Sequence, residues 1–365
     1  MQDQYKGWTM SDTLNRAKKF CDRFGLRAPI LLAPMAGASA PSLSIAVANA
    51  GGLGSCGVLL MQPDEIRSWS REVRSNSNGA FQLNIWIPDP APKRDPAHEA
   101  RVREFLGKWG PAPSAEAGEA VPPIFADQCG SMLEVAPPIL SSVMGLYPPD
   151  FVKKMKDRNI IWFANVSTVA EAKAAEEAGA DVIVAQGSEA GGHRGCFDAS
   201  EAEAKQVGLF SLLPAVVDAV RLPVVATGGI ADARGAAAAL TLGASAVQIG
   251  TGFLRCPEAK IHPAWADALA RTAPEGTIVS RAFSGRAGRS IATNYVKAAL
   301  GADAPRPSPY PIQRGLTAAM RAAAAKEGDV HRMQAWAGQS AGLAKNEPAA
   351  VVFQQIWDGA RALLN

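Results

Sequence analysis

The run Gln186-Gly187-Ser188-Glu189-Ala190-Gly191-Gly192-His193-Arg194-Gly195 sets one imidazole among four closely spaced glycines. Histidine is the side chain best suited to move a proton near neutral pH. Glycines let main chain approach a ligand closely and adopt positive φ. The apolar run Asp181-Val182-Ile183-Val184-Ala185 just before them reads as a buried strand, so His193 is delivered where that strand ends. This combination points to proton chemistry on something bulky and flat held against backbone.

Two later loops are built for an anion. Thr227-Gly228-Gly229-Ile230-Ala231-Asp232 follows one apolar run, and Gln248-Ile249-Gly250-Thr251-Gly252 contains the end of the next. Bare N–H groups and the Thr251 hydroxyl suit a phosphate, and Asp232 is placed to cap the helix that follows. Glycines that merely make tight turns are the alternative. Upstream, Met35 and Ala36 lie in the small-residue loop Ala33-Pro34-Met35-Ala36-Gly37-Ala38-Ser39, and Asn84 lies in Gln82-Leu83-Asn84-Ile85-Trp86, on or just after the apolar run Phe81–Ile85. Together they could accept a planar ring and bond its polar edge. Arg281, Arg286 and Arg289 form a basic cluster that either contacts an anionic group or lies at a solvated helix start.

These groups need a scaffold. Apolar runs near 30–33, 53–55, 81–85, 139–142, 160–164, 181–185, 223–226 and 246–249 alternate with Ala-rich helical patterns, the signature of βα units. Eight such strands predict an α/β fold, a closed (β/α)8 TIM barrel, with an open doubly wound sheet as the structural alternative. The segments Glu177–Ile183 and Thr241–Val247 repeat one pattern, in which Gly179 and Gly243 fit the position just past a helix. Residues 88–123 are rich in proline and predict a long loop with one helix near Ala97–Lys108. Residues 20–256 and 346–365 are expected to form the barrel, with Ala349–Leu364 as its last helix. Residues 257–345 are expected to form a helical C-terminal cap that binds substrate; a separate C-terminal domain is the other reading.

With 365 residues, 48% apolar and 19% charged, the chain has a globular enzyme's composition. A net charge of +3 and the lack of a dense basic run exclude nucleic-acid binding as an expectation. No apolar signal core or membrane-length segment is evident, so a cytoplasmic protein without a membrane partner is expected. Cys21, Cys56, Cys129, Cys196 and Cys256 are scattered and odd in number, which favours reduced thiols over disulfides or a metal site. Cys196, three residues past His193, is the only one near the proposed chemistry.

In this order and spacing, the strand-1 loop, Asn84, the His193 run, the Thr227-Gly228-Gly229 loop and Gln248-Ile249-Gly250-Thr251 resemble the nitronate monooxygenase family. The similarity extends through Tyr310-Pro311-Ile312-Gln313-Arg314 and Trp336-Ala337-Gly338-Gln339. The resemblance implies an FMN-dependent barrel enzyme that converts alkyl nitronates, with O2, to a carbonyl compound and nitrite. Carried across, Asn84 and Gln186 would bond the flavin edge, with Gln248 beside them, while Met35 and Ala36 line its ring. Gly191, Gly192, Gly228, Gly229, Gly250 and Thr251 would hold the phosphate end. His193 would be general base or anchor, and Tyr310 and Arg286 would contact substrate. A monomer or a homodimer is expected. The chain departs from the family pattern at Val143, where a second histidine is usual, and at Arg314 and Ala318, where tyrosine and lysine are usual. The alternatives are an NAD(P)H-dependent FMN reductase of a quinone or enoyl thioester, and a flavin-free isomerase pairing His193 with Glu189.

Overall fold

The computed structural model describes residues 10–119 and 121–365. Eight parallel strands form one sheet: β1 (Ile30–Leu32), β2 (Gly54–Gly57), β3 (Phe81–Trp86), β4 (Ile139–Val143), β5 (Ile161–Val166), β6 (Val182–Gln186), and, after the short β7 (Gly192–His193), β8 (Val224–Thr227) and β9 (Ala246–Ile249). Their order is β1-β9-β8-β6-β5-β4-β3-β2. The ends of that list meet: Leu31 bridges Leu53, and the Leu32 amide donates to the Leu53 carbonyl at 2.9 Å. The fold is therefore the (β/α)8 barrel rather than the open sheet.

Except in β2, which is Gly-Ser-Cys-Gly, near-continuous apolar runs make these strands, because each is covered on both faces. Leu31, Leu53, Phe163, Val182, Val184 and Val225 pack inside the barrel with Phe20 of the first helix, Met10–Phe24, and Phe24 of that helix packs against them. Phe24 meets Phe163 edge-on at 5.3 Å. That plug seals one end and leaves the other for chemistry. Toward the open end the interior turns polar: Gln82 Nε2 donates to Gln248 Oε1 at 3.0 Å, and Asn84 Nδ2 donates to Ser141 Oγ at 3.0 Å. Gly179 and Gly243 take φ of +93° and +110° directly after the helices Val169–Glu177 and Ala233–Thr241. Asp232 caps the second of these, accepting from the Gly235 amide at 3.1 Å.

Residues 257–345 contain helices and also two strands, β10 (Thr277–Ser280) and β11 (Gly288–Ile291), which sequence reading did not foresee. With β7 they make a second, antiparallel sheet in the order β10-β11-β7. The helix Pro96–Gly107, from the proline-rich connection, packs through Val102 and Leu106 with Phe283, Tyr295, Ile312 and Met320 of this region. The helix Ala349–Leu364 returns to the barrel wall. Among the described residues no helix is long and apolar enough to cross a membrane, and no cluster could hold a metal ion.

Candidate active site

A cavity of about 400 Å³ opens at the carboxyl ends of the barrel strands, roofed by residues from 254 to 340; its size is that of a small-molecule or cofactor site. The barrel loops put Met35, Ala36, Asn84, Gln186, Gly191, Gly192, His193, Gly228, Gly229, Gln248, Gly250 and Thr251 on its wall, and the cap adds Tyr310. Side chains far apart in sequence converge because every parallel strand delivers its end to the same face.

The glycines serve close approach. A methyl group at Gly191 would lie 2.5 Å from the Gly338 amide nitrogen and 2.7 Å from the Ala337 carbonyl carbon. Gly228 and Gly229 turn at φ +110° and +70°, values that side-chain-bearing residues seldom adopt. The Thr251 hydroxyl oxygen accepts from the Gly338 amide at 3.0 Å, and Ser340 Oγ donates to the Gly229 carbonyl at 2.5 Å. The roof is thus fastened to both glycine loops.

His193 sits where β7 pairs with β11, opposite Gly288. Its ring packs edge-on between Trp86, at 4.5 Å, and Trp336, at 4.7 Å. Nε2 lies 2.7 Å from Ser284 Oγ, which also takes the Arg286 amide and reaches the Arg286 carbonyl, both at 3.3 Å. The direction of that hydroxyl proton fixes the imidazole tautomer. Burial, aided by the charges of Arg286 and Arg314, lowers the His193 pKa to about 3. The ring is therefore neutral at pH 7. Acidification below about 6.5 protonates this histidine in the unfolded chain before the native one, so its contribution to stability falls as pH drops toward 3. Replacing His193 by Asn should flatten that part of the acid slope in urea titrations run between about pH 7 and 4.

Two expectations are revised. The Gln186 carboxamide holds the loop as well as facing the cavity: Nε2 donates to the His193 carbonyl at 3.2 Å and Oε1 accepts from the Gly195 amide at 2.7 Å. One N–H remains for a ligand. Arg286 does not line the cavity. It is buried, faces Asp89 at 3.4 Å and donates to the Cys196 carbonyl at 3.2 Å, so it acts on His193 through its charge. Arg281 pairs with Glu203 at 2.6 Å, and Arg289 donates to the Ser188 carbonyl at 2.9 Å. The basic cluster pins loops, and β11 stands where a helix start was the alternative.

Other side chains settle the minor readings. Glu189 accepts from the Leu209 amide at 2.8 Å, capping the helix Leu209–Ala219, and does not line the cavity. It cannot pair with His193 as an isomerase would need. All five cysteines are free and buried. Burial and the neighbouring Glu171 raise the Cys196 pKa, leaving an inert thiol. Sequence reading missed Ser284 and Asn165. Asn165 lines the cavity from the end of β5, and its Nδ2 is buried without a partner. An inward polar residue at a strand's carboxyl end, like Asn84, was the available signal; nothing local marks Ser284.

Comparison with known proteins gives a consistent result. Residues 18–357 match the family described as nitronate monooxygenase. A nitronate monooxygenase from Paraburkholderia phytofirmans is 41% identical over 340 residues, covering 91% of this chain and 92% of that protein. The structure of nitroalkane oxidase from Streptomyces ansochromogenes superposes with a TM-score of 0.84 at 33% identity, covering 95% of this chain and all of the other. FabK from Thermotoga maritima gives 0.73 at 28% identity, over 95% and 96% of the two chains.

Proposed function

The chain belongs to the nitronate monooxygenase family, and from that premise we propose that its cavity binds FMN and oxidises alkyl nitronates with O2 to a carbonyl compound and nitrite. The observation that carries the reading is the lining itself: glycine turns, a neutral half-buried imidazole and two arginines share one cavity with no carboxylate among the described residues. Such a wall accepts anions and repels none.

The residues fit a flavin mononucleotide. The loop from Pro34 to Ala38 offers a flat, small-residue wall. Asn165 Nδ2, buried and unpaired, needs an acceptor that a polar ring edge would supply. Gly191, Gly228 and Gly229 line the cavity with backbone alone, which suits a phosphate held by main-chain N–H groups. FMN would supply the redox capacity between nitronate and O2 that no side chain of the cavity has.

The protein's share is binding, orientation and protons. His193 is neutral, so it can take the proton of a bound nitroalkane, slowly because burial holds its basicity down, whereas a substrate that arrives already deprotonated needs no such step. An incoming anion offsets the charges of Arg286 and Arg314 and raises the basicity of the imidazole. Trp86 and Trp336 exclude water from the ring edges and keep those charges effective. The thiols, all unpaired, suit a cytoplasmic setting.

The test is direct. In air, the purified flavoprotein should release nitrite from an alkyl nitronate faster than from the parent nitroalkane. Rapid anaerobic bleaching by NADH, with no nitrite from nitronate, would instead assign the chain a reductase role.

A further inference from the structure

The imidazole of His193 has one nitrogen engaged and one free. Nε2 lies 2.7 Å from Ser284 Oγ, while Nδ1 has no hydrogen-bond partner among the described residues. Trp86 and Trp336 flank the ring at 4.5 and 4.7 Å and restrict its rotation. The Ser284 hydroxyl has two further neighbours, the Arg286 amide and the Arg286 carbonyl, both at 3.3 Å. A hydroxyl carries one proton and two lone pairs. The amide can only donate, so it takes one lone pair. The carbonyl has no other donor among the described residues. One proton arrangement serves all three contacts: the hydroxyl donates to the carbonyl and accepts from the amide and from an Nε2–H. Turning the hydroxyl proton toward Nε2 instead leaves that carbonyl without a donor, in a place where Ser284 and Arg286 are both buried.

The turn that carries Ser284 is held from several sides. Thr317 Oγ1 donates to the Phe283 carbonyl at 2.7 Å, and Tyr295 and Gln313 donate to the Ala282 carbonyl at 2.9 and 2.8 Å. Gly285 turns at φ +87°, and a methyl group there would lie 2.5 Å from the Tyr310 amide nitrogen. The cap thus fixes a hydroxyl against a histidine that the barrel supplies.

We propose that Ser284 is a positioning residue: it holds His193 as the Nε2–H tautomer and leaves the Nδ1 lone pair as the base. Resting on the reaction proposed above, this assignment names the atom that takes the proton. When a neutral nitroalkane binds, its α-C–H bond breaks and a new bond forms between that proton and Nδ1. The electron pair left on carbon passes into the nitro group, giving the nitronate. The imidazolium keeps its Nε2–H on Ser284 Oγ, and the hydroxyl stays bonded to the Arg286 carbonyl, so the new charge meets a chain of aligned dipoles. The proton returns to water when the products leave. A nitronate that arrives as the anion uses none of this.

The experiment reads the ring protons and the turnover separately. In the purified protein labelled with 15N-histidine, the His193 signals are those lost in His193→Asn. The wild type should show Nε2 protonated and Nδ1 bare, and Ser284→Ala should move population toward the Nδ1–H form. Ser284→Ala should also lower kcat on 1-nitrobutane by about 10- to 100-fold, the worth of a hydrogen bond to a charged group. Its kcat on the matching nitronate should change by less than about threefold, because no proton is removed there. Ser284→Thr, which keeps the hydroxyl, should recover most of the loss. A wild-type spectrum with the proton on Nδ1 overturns the proposal. So does an equal loss on both substrates in Ser284→Ala, or a tautomer that this substitution leaves unchanged. A Ser284-dependent Nε2–H tautomer in a protein that oxidises neither substrate supports the positioning role and refutes the reaction.

Discussion

His193→Ala should lower turnover of a neutral nitroalkane by about 10²- to 10⁴-fold, the usual worth of a positioned general base. Turnover of the corresponding nitronate should fall by less than about tenfold, because that substrate needs no proton removed. The asymmetry follows from two observations. Among the described residues the imidazole is the one titratable base on a wall whose other ionisable groups are arginines and a phenol. Its pKa, held near 3 by burial and neighbouring arginines, makes it neutral at working pH. Steady-state rates with each form, prepared separately and assayed before they interconvert, decide the matter. Equal losses on both substrates would make His193 an anchor of the bound anion. No loss on the nitroalkane would remove it from the chemistry.

Gly191→Ala should abolish stable FMN retention, with a loss of about 100-fold or more in affinity on the scale of displaced charge-assisted contacts. The added methyl meets the Gly338 nitrogen at 2.5 Å, the Ala337 carbonyl carbon at 2.7 Å and Thr251 Oγ1 at 2.9 Å. Two of these are backbone, so no rotamer change can relieve the contact. The His193 loop must move from the roof, and the Thr251–Gly338 bond that joins the roof to the barrel opens with it. Overpacking of this kind costs about 1–3 kcal/mol of stability, enough to read in a denaturation midpoint but not enough to unfold a protein this size. Flavin content after gel filtration and a titration with free FMN check the prediction. Gly192→Ala is the control: a methyl there meets nothing within 4 Å, so its only penalty is the φ of +76°.

Much of this was legible in sequence because it is local. Apolar runs place each barrel strand to within a residue or two, since burial on both faces demands them. Gly179 and Gly243 mark helix ends through backbone geometry alone, and Asp232 marks a helix start through its side chain. His193 stands out because four glycines lie within six residues of it. What sequence concealed depends on contacts between distant segments. The β7–β11 pairing joins Gly192 and His193 to Arg289 and Gly288, and a two-residue strand has no periodicity to read. Ser284 reaches His193 only through that pairing. Arg286 looked like a substrate contact, because a basic cluster near a site gives no sign that Asp89 and a buried carbonyl will claim one of its members. The helix Pro96–Gly107 joins the cap because Val102 and Leu106 face its core, a choice invisible from the proline-rich connection. Gln186 carries no local hint that its amide will bridge the loop on which His193 rides.

The central claim is that a flavin held across the barrel mouth beneath His193 takes electrons from a nitronate. An absorbance spectrum of the purified protein, recorded before and after anaerobic addition of propionate 3-nitronate, tests it most directly. The account predicts a visible flavin band that bleaches on addition and returns when air is admitted. A colourless protein that takes up no FMN, or a flavin band unchanged by the nitronate, would contradict it.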